Sequence, residues 1–299
     1  MDILGTDQLS AKQINDIFSI ADALEKNKEE LAIRNHTTLA LFFQEPSTRT
    51  RTSFEVAMTH LGGHAVYLGA SETQFKRGES ISDIAKVLSG YCDMIAARVS
   101  SHKDLLEIAE NASVPVINAL TDLEHPTQAL ADLYTIRAVK GSIKGKKIAF
   151  VGDITTNTAN SLMVAAAKMG AEMVLVGPKE YTPSAMHLTK AREYGEVTVS
   201  NVMAEGLANA DIIYTDTFVS LGKESEAEAR YKALMPYQVN SEALGYAKED
   251  ALVMHCMPVF RGREITAEVI DGPRSIMLLQ SNNKLLVNKA IIIYLLQQS

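Results

Sequence analysis

The stretch FFQEPSTRTRTSFE sets Ser47, Thr48, Arg49, Thr50 and Arg51 directly after Pro46, where an apolar run gives way to a helical pattern. Ser47 is placed to cap that helix, whose first turn offers backbone N–H groups and the positive end of its dipole. Hydroxyl donors at Thr48 and Thr50, with the Arg49 guanidinium whose fork matches phosphate oxygens, complete a candidate anion site. A capped helix with solvated arginines is the plainer alternative. That arrangement would stack cations on an already positive helix end, and an anionic ligand relieves the repulsion.

Three more residues occupy comparable places. Arg98 closes the strand-like MIAAR, and His125 and Gln128 of HPTQ stand three apart at a helix start, so both project from one face. Two have a structural explanation alone, a strand-end ion pair for Arg98 and a cap for His125, but capping does not explain Gln128 beside it. In parallel sheets, however, ligands collect beyond the carboxyl ends of the strands, where all of these residues fall. The second half has its own polar strand ends, GDITTNTANS (152–161), TDTFVSLG (215–222) and HCMP (255–258). Asp216 alone could be a strand-end cap, and Cys256 a small buried hydrophobe. The VGD segment lacks G-x-G-x-x-G, which counts against a dinucleotide site.

The elements that must hold these residues alternate along the chain. Leu9, Ile14, Ile17, Phe18, Ile20, Ala21 and Leu24 recur at helical spacing and predict a helix over 10–25. TTLALFF (37–43) is a continuous apolar run, as expected of a strand covered on both faces of a parallel sheet. A helix ending at Gly62-Gly63, the strand AVYLG, a helix over 80–89, the strand MIAARV, a helix near 103–112, the strand VPVINAL and a helix over 126–139 follow. After the glycine- and lysine-rich KGSIKGKK (140–147) the alternation restarts. It runs through KIAFVGD, a helix over 158–169, EMVLVGP, a helix near 183–194, DIIYTD and ALVMHCMP to a last strand around 275–279 and an apolar helix over 283–297. The expectation is α/β: two doubly wound domains, each a parallel sheet flanked by helices, joined by inter-domain helices. Their bounds are 1–139 and 140–279, with 280–299 as a helix packing back on the first domain.

Composition narrows the function classes. The 299 residues are 46% hydrophobic and 22% charged with a net charge of −7, which fits a soluble protein and disfavours a nucleic-acid surface. Two cysteines, Cys92 and Cys256, cannot make a disulfide framework, so the chain reads as cytosolic. No signal-peptide pattern opens it, and no apolar run is long enough for a membrane span.

STRTR, the arginine of AAR, and HPTQ together resemble the transcarbamylases, the aspartate/ornithine family that moves a carbamoyl group from carbamoyl phosphate to an amine or amide nitrogen. The likeness runs over essentially the whole chain. It implies a first domain that holds carbamoyl phosphate and a second that holds the acceptor, with no cofactor and no metal. Ser47, Thr48, Arg49 and Thr50 would grip the phosphate, while Arg98, His125 and Gln128 address the carbamoyl oxygen and nitrogen. As the amine attacks, charge grows on the carbamoyl oxygen; Thr50, Arg98 and His125 would stabilise it, and Arg49 the departing phosphate. Lys284 of QSNNK stands where the family has arginine, keeping the charge without the bidentate fork. The family is typically trimeric, so Gln74 of SETQFKRGES is expected to complete a neighbour's site in a homotrimer, a solvated loop being the alternative.

The acceptor half resembles the ornithine branch. By that resemblance Asp216 and Ser220 contact the α-ammonium, Asn157 the α-carboxylate, and Cys256 the attacking amine, with Leu221 and Met257 beside them. Leu221 and Met257 replace the branch's usual methionine and leucine. The aspartate branch places arginines where this chain has Asn157 and Thr217, and aspartate would meet Asp216 without a compensating cation. The expected reaction is citrulline formation in arginine metabolism. Putrescine or, less favoured, aspartate as acceptor, and a non-catalytic paralogue that binds phosphate ligands, are the alternatives.

Overall fold

The computed structural model describes residues 1–26, 33–34, 36–69, 78–220 and 222–298. The chain divides into two compact units, Met1–Ala131 with Asn283–Ser299, and Asp132–Asn282.

In the first unit α1 (Ala11–Lys26), β1 (Thr38–Phe43), α2 (Thr48–His60), β2 (His64–Gly69), α3 (Ile81–Tyr91), β3 (Met94–Arg98), α4 (His102–Asn111) and β4 (Val116–Leu120) alternate. The four strands form one parallel sheet in the order β2-β1-β3-β4. Apolar continuity dictates the centre: Leu39 to Phe43 of β1 and Met94 to Ala97 of β3 are all buried, as covering both faces of a parallel sheet requires. The register pairs Phe43 with both Gly69 and Arg98, so β1 and β3 end side by side and deliver Ser47 and Arg98 to the same sheet edge. Ser47 caps α2 from extended backbone, its Oγ accepting the Thr50 N–H at 3.2 Å. At the other end Gly62 takes φ +82°, the left-handed turn expected after the helix.

α5 (Pro126–Lys140) carries the HPTQ residues, and the boundary between the units falls within it, after Ala131. The second unit continues with β5 (Lys147–Val151), α6 (Asn157–Lys168), β6 (Glu172–Val176), α7 (Ala185–Arg192), β7 (Val197–Ser200), α8 (Met203–Leu207), β8 (Ile212–Thr215), α9 (Ala227–Leu234), α10 (Ser241–Tyr246), β9 (Leu252–His255) and α11 (Ala267–Ile270). Its parallel sheet runs β7-β6-β5-β8-β9. The order reverses at β5, the switch point beyond whose strand end ligands bind in such sheets. Gly152, just after β5, has φ +107°, and a Cβ there would lie 2.8 Å from the Phe218 ring, so the turn accepts only glycine.

Two expectations are corrected. Residues 275–279 are not a strand: Ser275 makes only an isolated bridge to Val253, and Met277 already begins α12 (Met277–Leu296). Short apolar runs do not distinguish strand from helix. Here Leu278 and Leu279 are exposed while Met277 and Gln280 are buried, a helical rather than an alternating pattern. β7, not foreseen, is an edge strand of four residues with half its side chains exposed, too short and polar to stand out. Among the described residues no helix is long and apolar enough to cross a membrane.

Candidate active site

In the first unit, chemistry gathers where β1, β3 and the start of α5 end or begin. Ser47 is half-buried at the α2 cap, Thr48 is exposed in the first turn, Arg49 is half-buried and Thr50 is buried. Arg51, the second arginine of the motif, donates to Glu55 Oε1 at 3.0 Å and lies 3.6 Å over the Tyr67 ring, so it serves the helix surface. His125 and Gln128 are buried, and both meet Lys284 from α12. Lys284 Nζ stands 2.8 Å from Gln128 Oε1, 3.3 Å from Thr50 Oγ1 and 3.5 Å from His125 Nε2. Burial, then the cations of Lys284 and Arg98, hold His125 well below the usual histidine pKa, so its imidazole is neutral near pH 7. This unit therefore assembles Thr50, Arg98, His125, Gln128 and Lys284 beside the N-terminus of α2, a set of donors suited to a phosphate and a carbonyl oxygen. Gln74 lies outside the described residues.

In the second unit, Asp216 follows β8 and Cys256 follows β9, neighbours in the sheet. Cys256 Sγ donates to Asp216 Oδ1 at 3.2 Å, and the Thr217 N–H donates to the same oxygen at 2.7 Å. Thr158 Oγ1 is 4.0 Å from Cys256 Sγ and 3.3 Å from Asn157 Oδ1, which ties the first residues of α6 to the pair. Burial raises the Asp216 pKa against the opposing hydrogen bonds from Cys256 and Thr217. A carboxyl so placed gains from an incoming cation, which compensates its burial. Ser220 is half-buried in the loop after β8; Leu221 lies outside the described residues. Met257 has φ +58° and precedes a cis peptide to Pro258.

Several supporting contacts carry no mark in the sequence. His255 Nδ1 accepts the Met257 N–H at 2.8 Å, which places the ring proton on Nε2, 3.2 Å from Glu264 Oε1. Glu264 Oε1 also accepts the Phe260 N–H, so this buried pair shapes the chain around Cys256. Gln280 accepts the His255 N–H at 3.0 Å and donates to Asp132 and Tyr214, and Tyr214 donates to Asp132 at 2.9 Å. Asp153 of the VGD segment binds Arg230 at 2.6 Å, with both side chains buried. The Gln280, Asp132, Tyr214 and Asp153–Arg230 partners are separated by tens of residues or more, and only the fold brings them together. Asp216, His255 and Cys256 also place three potential metal-ligand atoms within 4.8 Å of one another. Both ring nitrogens of His255 are already engaged, by Met257 and by Glu264.

Comparison with known proteins agrees with both halves. Residues 1–138 match the family model described as aspartate/ornithine carbamoyltransferase, carbamoyl-P binding domain, and residues 144–295 match the Asp/Orn binding domain of the same family. The ornithine carbamoyltransferase of Bacillus subtilis is 43% identical over 296 residues, 97% of this chain and 92% of that protein. That of Pyrococcus abyssi is 48% identical over 264 residues, 87% of this chain and 83% of that protein. Among solved structures, the ornithine carbamoyltransferase of Pyrococcus furiosus superposes with a TM-score of 0.94 at 44% identity, covering 99% of this chain and 97% of that one. The anabolic enzyme of Campylobacter jejuni gives the same TM-score at 34% identity, covering 100% of this chain and 99% of that one. With a donor-rich anion site in one unit, a buried carboxyl and thiol in the other, and both family models matched along its length, the chain belongs to the aspartate/ornithine carbamoyltransferase family.

Proposed function

We propose that this carbamoyltransferase transfers the carbamoyl group of carbamoyl phosphate to the side-chain amine of L-ornithine, giving L-citrulline and phosphate, in arginine biosynthesis. The observation that carries the choice of acceptor is Asp216: a buried carboxyl, its pKa raised by burial, beside the Cys256 thiol. Such a group favours an ammonium and rejects a dicarboxylate. Ornithine supplies the ammonium at its α-carbon, Ser220 gives that group a second partner, and Asn157 donates to the α-carboxylate. By the family resemblance Leu221 and Met257 are assigned to the same acceptor site.

In this reading Ser47, Thr48, Arg49 and Thr50 hold the phosphate at the start of α2, where free N–H groups and the helix dipole favour an anion. Thr50, Arg98 and His125 donate to the carbamoyl oxygen as it gains charge, Gln128 fixes the carbamoyl amide, and Arg49 stabilises the leaving phosphate. The attacking amine of ornithine must be neutral, and Cys256 lies beside it. Because that amine is mostly protonated at neutral pH, the rate rises with pH until the proton is lost. The working assembly is a cytoplasmic homotrimer in which Gln74 reaches the carbamoyl phosphate of a neighbour.

Steady-state assays with carbamoyl phosphate and, in turn, ornithine, putrescine, lysine and aspartate test the reading. Ornithine should give the largest kcat/KM. Putrescine, which has no carboxylate for Asn157, should be far poorer, and aspartate should be inert. A preference for aspartate or putrescine would overturn the assignment, and no product with any acceptor would indicate a non-catalytic relative.

A further inference from the structure

The strand that delivers Arg98 ends irregularly. On one side β3 keeps step with β1 as far as Phe43 and Arg98, and the Gln44 N–H donates to the Arg98 carbonyl at 2.8 Å. On the other side the register with β4 slips at this residue: Ala97 faces Asn118, but Arg98 faces Leu120. In a parallel pair the next rung would carry the Ser100 N–H to the main-chain carbonyl of Gln44, and the following one would need an N–H at residue 46. Pro46 has none, and the chain turns away there towards α2. The Ser100 N–H goes instead to the side chain of Gln44, reaching Oε1 at 2.8 Å. At its other end the same amide donates from Nε2 to Asp104 Oδ2 at 3.2 Å, in the first turn of α4. A main-chain N–H only donates and a carboxylate only accepts, so these two partners fix which way the amide points.

We propose that Gln44 is a positioning residue for Arg98: it holds the main chain on both sides of the arginine, at the Arg98 carbonyl and at the Ser100 N–H, while Asp104 orients its amide. The side-chain amide replaces the rung that the strands lose as they part, and so fixes the strand end from which Arg98 addresses the carbamoyl oxygen. This role rests on the carbamoyl-phosphate reading of the unit, not on the identity of the acceptor. It concerns the main chain of Arg98, whatever its guanidinium touches. The Gln44 side chain binds Ser100 and Asp104, neither of which is assigned to a ligand, so it acts through Arg98 rather than on substrate.

The chemistry of the pair can be exchanged between its two members. In Gln44→Glu a carboxylate still accepts the Ser100 N–H but confronts that of Asp104. Adding Asp104→Asn restores one donor and one acceptor with their roles reversed. Gln44→Leu loses both bonds. Arg98 serves charge that develops in the transition state, so its displacement lowers kcat more than it raises KM. Inorganic phosphate, held at Ser47 to Thr50, should bind as before.

Two measurements test this. In the free protein, hydrogen exchange of the Ser100 amide followed by NMR should quicken about threefold or more in Gln44→Leu and stay near the parent rate in Gln44→Glu. An unchanged rate in Gln44→Leu overturns the proposal. In parallel, Gln44→Leu and Gln44→Glu should each lower kcat about tenfold with inhibition by inorganic phosphate within about twofold of the parent, and Gln44→Glu with Asp104→Asn should recover most of the loss. Single variants with kcat within about twofold of the parent, or a double variant no faster than Gln44→Glu, would overturn it. So would phosphate inhibition that weakens in step with kcat, because the whole site would then be disturbed. Amide exchange needs no substrate, so a failure of the carbamoyl-phosphate reading, seen as a parent protein inactive with every acceptor, is distinguishable from a failure of Gln44.

Discussion

Asp216→Asn separates binding from stability at one atom. The substitution keeps shape and removes the charge. Loss of one partner from a buried charge pair costs about 2–4 kcal/mol, so kcat/KM for ornithine should fall roughly 30- to 700-fold. The free protein should respond in the opposite sense. Burial raises the Asp216 pKa above its unfolded value, so ionising it costs the folded state stability. That cost is absent below the unfolded pKa, grows between the two values and is complete above the native pKa. Asp216→Asn removes it, and the variant should melt at or above the parent's temperature at neutral pH. At lower pH the difference shrinks as the parent carboxyl takes up its proton. The assay pairs citrulline kinetics with thermal unfolding at two pH values, and carbamoyl phosphate affinity, which belongs to the other unit, should change little. A variant whose ornithine kinetics lie within about twofold of the parent would refute the role of Asp216 as the ammonium's partner.

Three further outcomes are expected. Arg49→Ala should nearly abolish turnover, since losing a charge-assisted donor that meets both bound and departing phosphate costs roughly 3 kcal/mol, about two decades in rate; a variant with half the parent activity contradicts the anion-site reading. Mixing inactive Arg49→Ala chains with inactive Gln74→Ala chains should restore some activity if neighbours share sites, and no recovery after verified subunit exchange argues against sharing. Arg230→Leu should destabilise the second unit by about 3–5 kcal/mol, because it leaves the fully buried Asp153 without its cation; unchanged thermal unfolding would show that the pair contributes nothing.

How far the sequence carried depends on whether a feature is local. The β1 run, the Ser47 cap and the i, i+3 pair of HPTQ are properties of a few adjacent residues, and each takes the expected place in the structure. Residues 275–279 were illegible as helix because their apolar run suits either structure, and only exposure of Leu278 with burial of Gln280 distinguishes the two. Thr158 beside Cys256, Asp153 against Arg230 and Glu264 on His255 join residues whose separation along the chain hides their contact. Lys284 shows the limit most clearly. QSNNK suggests only a cation in place of the family's arginine, whereas three distances reveal acceptors that it meets.

The central claim is a bond between the carbamoyl carbon and the side-chain nitrogen of ornithine. It is tested most directly by incubating the purified protein with 13C-carbamoyl phosphate and ornithine labelled with 15N at that nitrogen, and recording the carbon spectrum. A new ureido resonance split by one-bond coupling to 15N, growing in step with released phosphate, is expected. Carbon that remains in carbamoyl phosphate or appears only in its spontaneous breakdown products, while aspartate or putrescine supplied instead becomes labelled, would contradict it.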